Sequence, residues 1–223
     1  MIPKIIWQTY ECDYKDLPEY LKEYSQTFID LNPNWQYIYH SAKQREEFVL
    51  NHFGKDWLDI FNDCPISVMR ADIWRYMVAY IYGGVYSDID SICKKPLESW
   101  TSLESDLIVC EDGDEFSYCN GAFASTPQNN IIKEILNYIK KQLIKKDYKN
   151  KYFVFHTTGT VAWSIAIKNL KNKNFYCYSG TDKFILKEDA IEQLSASIEW
   201  DKPDYVNWQK QVGDFLLNQN KGD

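Results

Sequence analysis

Apolar residues change their spacing repeatedly along this chain, and each change predicts a different element. Residues 3 to 9, PKIIWQT, form a short β-branched apolar run, the pattern of a buried strand. Leu17, Leu21, Tyr24, Phe28 and Leu31 then recur at helical spacing over 17 to 33. NWQYIYHS, from 34 to 41, alternates like a strand, and 42 to 63 reads as helix. An opening of strand, helix, strand, helix predicts a layered α/β sheet whose functional edge lies at the carboxyl ends of the strands.

ISVMRADIWRYMVAYIYGG, 66 to 84, is apolar around most of a helical circumference and ends in a glycine pair, so it predicts a long, largely buried helix. Its exceptions are Asp72 and Arg75, three residues apart and on one face with the small residues Val68 and Ala79. A strand is predicted from Gly84 to Ile89, followed by strands at DLIVC (106 to 110) and YCNGAFAST (118 to 126). Amphipathic helix is predicted over 129 to 146 and a second helix over 157 to 170, with a strand near FYCYS and a tail carrying Trp200 and Trp208.

Composition narrows the function classes. The 223 residues, 45% hydrophobic and 26% charged, suit one unit with a sizeable core, and no linker or repeat divides them. A net charge of −7 excludes a broad phosphate-neutralising surface, so nucleic acid is not an expected partner. The lysine run IKKQLIKKDYKNK, 139 to 151, reads first as a solvated helix face, with peripheral contact to anionic lipid as the alternative. The six cysteines form no CxxC pair and are read as reduced thiols. MIPKIIWQTY lacks a signal-like pattern and no run approaches a membrane span, so a cytoplasmic location is expected.

The chemistry concentrates in GGVYSDID, 83 to 90. Were the strand to continue, its period of two would send Tyr86, Asp88 and Asp90 to one side. Two carboxylates in one space need a cation, a base or water. Oxygen ligands of this kind suit Mg²⁺ or Mn²⁺, which keep coordination positions open for phosphate oxygens. Such a metal would neutralise a departing nucleoside diphosphate, the chemistry of sugar transfer. Asp-x-Asp is also frequent in turns and caps, and Asp72 with Arg75 also reads as an ordinary helical ion pair.

MRADIWRYMVAYIYGGVYSDID resembles the segment shared by family 32 glycosyltransferases, which include the Och1-like and capsular-polysaccharide sugar transferases. It is more distantly similar to the glucosylating domains of the large clostridial toxins. IPKIIWQTY and LNPNWQYIYHS resemble that family's first two strand segments, so the likeness covers about residues 2 to 126. It implies a GT-A, Rossmann-like nucleotide-sugar fold with a mixed central sheet flanked by helices. It also implies a donor part over 1–126 and an acceptor and site-closing part over 127–223 of one domain.

The implied reaction moves a hexose from a UDP- or GDP-sugar to a glycan, glycolipid or lipid-linked hydroxyl, with retention. Carried over by position, Asp72 and Arg75 hold donor hydroxyls and the diphosphate, and Asp88 contacts ribose, sugar or metal. Asp90 is the more direct Mn²⁺ (or Mg²⁺) ligand. Trp7 is placed near the nucleobase, although a core tryptophan fits the sequence equally, and Asn120 is a candidate for hydroxyls. Thr158 and Gly159, in HTTGT, offer backbone amides to a phosphate. The family's C-terminal histidine has no counterpart after His156, which leaves Asp201, Asp204 or Trp208 for that role. Two rivals are a haloacid-dehalogenase-type phosphohydrolase, which also carries Asp-x-Asp after an apolar strand, and a non-catalytic carbohydrate-binding protein.

Overall fold

A computed structural model of the chain describes residues 1–99, 104–111, 118–169, 176–178, 191–193 and 206–219. In chain order its elements are β1 (Ile5–Thr9), α1 (Glu19–Leu31), β2 (Gln36–His40), α2 (Ala42–Phe53), α3 (Lys55–Asn62), α4 (Ser67–Tyr82), β3 (Gly84–Ser87) and β4 (Ser91–Cys93). There follow β5 (Leu107–Glu111), β6 (Tyr118–Ser125), α5 (Asn130–Lys145), α6 (Phe153–Thr157), α7 (Thr160–Lys168), β7 (Tyr176–Tyr178), β8 (Ile191–Gln193) and α8 (Val206–Gln219). A six-stranded sheet runs β2-β1-β3-β6-β5-β7, and β4 pairs with β8 in a two-stranded one. β1 is parallel to β2 and β3, whereas β6 is antiparallel to β3 and β5. The sheet is therefore mixed, as expected.

Register assigns each strand residue to a layer. Trp7 lies beside Tyr86, and Tyr86 beside Phe123, so all three share a face. That face packs against the apolar body of α4 and against α2, α5 and α7. Ile6, Val85 and Ala124 point the other way and pack with Phe28 of α1, Trp35 and Leu97. Both faces are covered, which is why these strands read as nearly continuous apolar runs.

Two expectations about boundaries fail for local reasons. The helix expected over 42 to 63 divides at Gly54, whose φ of 79° ends α2. The strand expected to reach Ile89 stops at Ser87, because the Ser91 amide donates to Asp88 O at 3.2 Å and closes a turn over 88–91. Asp88 and Asp90 thus leave the sheet in a turn and do not project from one face of a strand. The β4–β8 sheet had no signal in the spacing.

The glycine pair is required by the backbone. Gly83 and Gly84 have φ of 66° and 97°, and a Cβ on Gly84 would come within 2.6 Å of Ile5 O. This swerve carries the chain from α4 directly into β3. Replacing Gly84 by Ala is expected to lower stability by about 2–4 kcal/mol through strain and overlap. Gly213→Ala, in the open on α8, is expected to raise it by about 0.5–1 kcal/mol. Urea unfolding of the two variants beside the parent checks both signs.

Candidate active site

The carboxyl end of β3 faces the N-terminal half of α4, and there the helix brings in its two buried charges. Asp72 and Arg75 are each only 4% exposed. Arg75 Nη2 lies 3.1 Å from Asp72 Oδ1 and 3.2 Å from Asp88 Oδ1. Its Nη1 donates to the backbone oxygen of Asn120 at 2.7 Å, and its guanidinium lies 4.7 Å from the centre of the Tyr86 ring. One cation therefore bridges two carboxylates from different elements. The i,i+3 pair anticipated on α4 is part of a larger network.

Asp72 is held from three directions. Besides Arg75, it accepts from Asn120 Nδ2 at 3.2 Å and from Thr158 Oγ1 at 2.8 Å. Asn120 Nδ2 also donates to the Tyr76 hydroxyl at 3.0 Å. Burial pushes the Asp72 carboxyl above its ordinary range, outweighing the Arg75 charge and the hydrogen bonds from Thr158 and Asn120, and Asp88 adds to the rise. Burial opposes the Arg75 charge, but Asp88, Tyr86 and Asp72 outweigh it and keep the guanidinium protonated beyond the usual arginine range.

Asp88 is placed by backbone and side chain together. Its amide donates to Gly121 O at 2.7 Å, and its carbonyl accepts from Gln8 Nε2 at 3.1 Å. The Tyr86 hydroxyl, kept protonated by burial, donates to Asp88 Oδ1 at 2.5 Å, the length of a charge-assisted bond. Both side-chain contacts fall on Oδ1, and the side chain keeps 26% exposure. Asp90 sits half-buried in the same turn.

This donor set fits a hard divalent cation: Asp88 has an oxygen beyond its fixed one, and Asp90 is two residues along the same turn. Among the described residues there is no group of three His, Cys, Asp or Glu able to hold a metal. Asp201 and Asp204, considered for the missing C-terminal ligand, lie outside the described residues. Trp208 is half-buried on α8, with its ring 5.7 Å from that of Phe155.

Other expected site residues take different places. Trp7 is mid-strand and 4% exposed, its Nε1 bonded to Gly83 O at 2.8 Å and its ring stacked on Tyr82. It borders a cleft of 480 Å³ that runs along β2 from Gln36 to His40 and is walled also by Phe48, His52 and Tyr82. Trp7 is thus packed in the core while bordering this cleft. The amides of Thr158 and Gly159 both donate to Val154 O at 3.0 Å. They are not free for a phosphate, and Thr158 instead joins the site through its hydroxyl.

Spacing missed four contributors. Tyr76 and Tyr86 are hidden in apolar runs, and Gln8 is hidden in a strand; their hydroxyl and amide roles appear only once the elements pack. Arg45 of α2, 1% exposed, donates to Thr9 Oγ1 at 2.8 Å, Tyr10 O at 3.2 Å and Glu11 Oε1 at 2.5 Å. It pins the turn leaving β1, on the same sheet edge as Asp88, and nothing in its sequence neighbourhood sets it apart from other helical arginines.

Residues 18–106 match the family described as "Glycosyltransferase sugar-binding region containing DXD motif". The match includes the segment carrying Asp72, Arg75, Asp88 and Asp90. An uncharacterised glycosyltransferase of Acanthamoeba polyphaga mimivirus is 27% identical over 78% of this chain and 68% of its own. A mannosyl phosphorylinositol ceramide synthase of Saccharomyces cerevisiae is 32% identical over 77% of this chain and 43% of its own. An inositol phosphoceramide mannosyltransferase of Schizosaccharomyces pombe is 30% identical over 78% of this chain. The chain spans a little under half the length of these two fungal proteins. The structure of the PaToxG glycosyltransferase overlays with a TM-score of 0.56 at 22% identity, covering 74% of this chain and 69% of that one. The architecture is thus the GT-A fold.

The charge network sets two expectations. Arg75→Met would leave two carboxylates facing each other without their cation, and chemical denaturation is expected to show a loss of about 3–5 kcal/mol. Asp72, whose folded-state pKa lies above its ordinary 3.8, binds its proton more tightly folded than unfolded. Its contribution to stability therefore declines as pH rises from about 4 through the raised value. Asp72→Asn removes that decline, so the parent-minus-variant stability difference should slope downward over this window and level off above it.

Proposed function

We propose that this chain transfers a sugar, mannose first among the candidates, from a nucleotide-sugar to a hydroxyl on a lipid-borne acceptor. The observation that carries the reading is the Arg75 bridge. It fixes Asp88 at the exposed end of β3, inside a segment of the DXD glycosyltransferase family. The sugar and acceptor classes rest on the relatives named as a mannosyl phosphorylinositol ceramide synthase and an inositol phosphoceramide mannosyltransferase. The donor part is residues 1–126 and the acceptor part 127–223 of one unit.

Asp88 and Asp90 would hold Mn²⁺ or Mg²⁺, which, when bound, would offset the charge of the leaving diphosphate. The chain's own residues do the positioning. Tyr86 and Arg75 hold one oxygen of Asp88 while the side chain keeps contact with solvent. Asn120 and Thr158 fix Asp72, and Arg75 acts through both carboxylates, not as a free phosphate clamp. Asp72 is enclosed by three donors, which suits it to orienting a donor hydroxyl at the site wall and not to covalent attack. Retention then follows from same-face attack, with a departing phosphate oxygen taking the acceptor's proton.

Release of UDP or GDP from a panel of nucleotide-sugars is the test, run with Mn²⁺, with EDTA and with Asp88→Asn. Release from a mannose donor that EDTA abolishes and Asp88→Asn lowers about a hundredfold or more is expected. Release of inorganic phosphate without nucleotide would replace the reading with a phosphohydrolase. Retention of glycan with no turnover would replace it with a binding module.

A further inference from the structure

The lysine-rich end of α5 plays no part in the site, yet the fold carries it to the same end of the molecule. Gln128, just before α5, donates to Tyr80 O near the C-terminus of α4 at 2.7 Å. At the other end of α5, Lys146 pairs with Asp63, just before α4 begins. The two helices are therefore antiparallel, and α5 finishes beside the N-terminal half of α4 that bears Asp72 and Arg75. The chain then passes through α6 to Thr158, which bonds Asp72.

One side of α5 is sealed into the core by Ile131, Ile132, Ile135, Leu136, Ile139 and Leu143. The other side turns Lys133, Lys141, Ile144 and Lys145 outward, and the following turn adds the exposed Lys149 and Lys151. From 140 to 152 there are six lysines against one acid, Asp147, in a chain whose net charge is −7. Among the described residues, the only carboxylate these lysines meet is Asp63, at Lys146. Large apolar side chains stand in their midst: Ile144 is 64% exposed and Tyr152 49%. An anionic bilayer accommodates both, with headgroups on the ammonium groups and the apolar tips at the acyl boundary.

We propose that the C-terminal end of α5 and the turn after it form a docking surface for anionic lipid bilayers. Its position beside the Asp88 end of the sheet would bring the site to an acceptor carried in that bilayer, and this consequence rests on the transferase reading above. No helix among the described residues is long and apolar enough to cross a membrane, and the contact proposed is surface adsorption through this patch.

The test is co-sedimentation of the full chain with vesicles of phosphatidylcholine alone and of phosphatidylcholine containing phosphatidylserine. Binding only to the anionic vesicles, weakening as salt rises, is expected. Each removed lysine should weaken it about fivefold, so Lys141→Gln, Lys145→Gln and Lys149→Gln together should weaken it about a hundredfold. Ile144→Asn should weaken it without changing the salt slope, and Lys43→Gln with Lys55→Gln should leave it intact. The proposal is overturned if anionic vesicles do not pellet the protein, or if the triple variant binds them as the parent does. Equal or tighter retention by duplex DNA would overturn it as well, marking a generic polyanion surface. Vesicle binding needs no turnover and nucleotide release needs no vesicle. Loss of one with the other intact therefore says which of the two readings has failed.

Discussion

A buried guanidinium between two carboxylates organises this molecule. Arg75 lies inside an otherwise apolar helix, where an isolated charge would cost several kcal/mol. It is tolerable only because Asp72, Asp88 and the Asn120 carbonyl meet its two terminal nitrogens at 2.7–3.2 Å. Each of these partners comes from a different place: the same helix, the turn after β3 and strand β6. Satisfying one charge therefore fixes the relative positions of all three.

The core around the bridge has the corresponding shape. Tyr76 and Tyr86 are large enough to continue the apolar packing of α4 against β3 and β6, while their hydroxyls reach Thr158 O and Asp88. The glycine pair matters for the same reason. It shortens the path from α4 to β3 so that Arg75, about two turns back along the helix, meets Asp88 at the far end of the strand. A longer connection would allow the helix to slide and the bridge to miss.

Rigidity and exposure are divided between the two oxygens of a single carboxylate. Asp88 is held at Oδ1 by Tyr86 and Arg75 while the side chain still keeps contact with solvent. Asp72, deeper in, has donors on both oxygens. Such a gradient, from an enclosed carboxylate to an accessible one, is what a site needs if it is to present a fixed ligand to a charged substrate without reorganising.

Much of this was legible in the sequence, because it depends on local spacing. Helical and strand periods located β1, α1, β2, α4, β6 and α5, and the spacing of Asp72, Arg75, the glycine pair and Asp88 pointed to one place in space. The turn at 88–91 was not legible, since it is set by a single Ser91–Asp88 backbone bond that no side-chain pattern announces. Nor was the character of Trp7, which depends on whether Gly83 O and Tyr82 come to meet its ring. Tyr76, Tyr86 and Arg45 looked like ordinary core or helix residues until packing gave their polar ends partners. The order of apolar, charged and flexible residues is enough to say which elements form. Which buried polar groups meet is settled by long-range register and helix direction, and local spacing does not encode these.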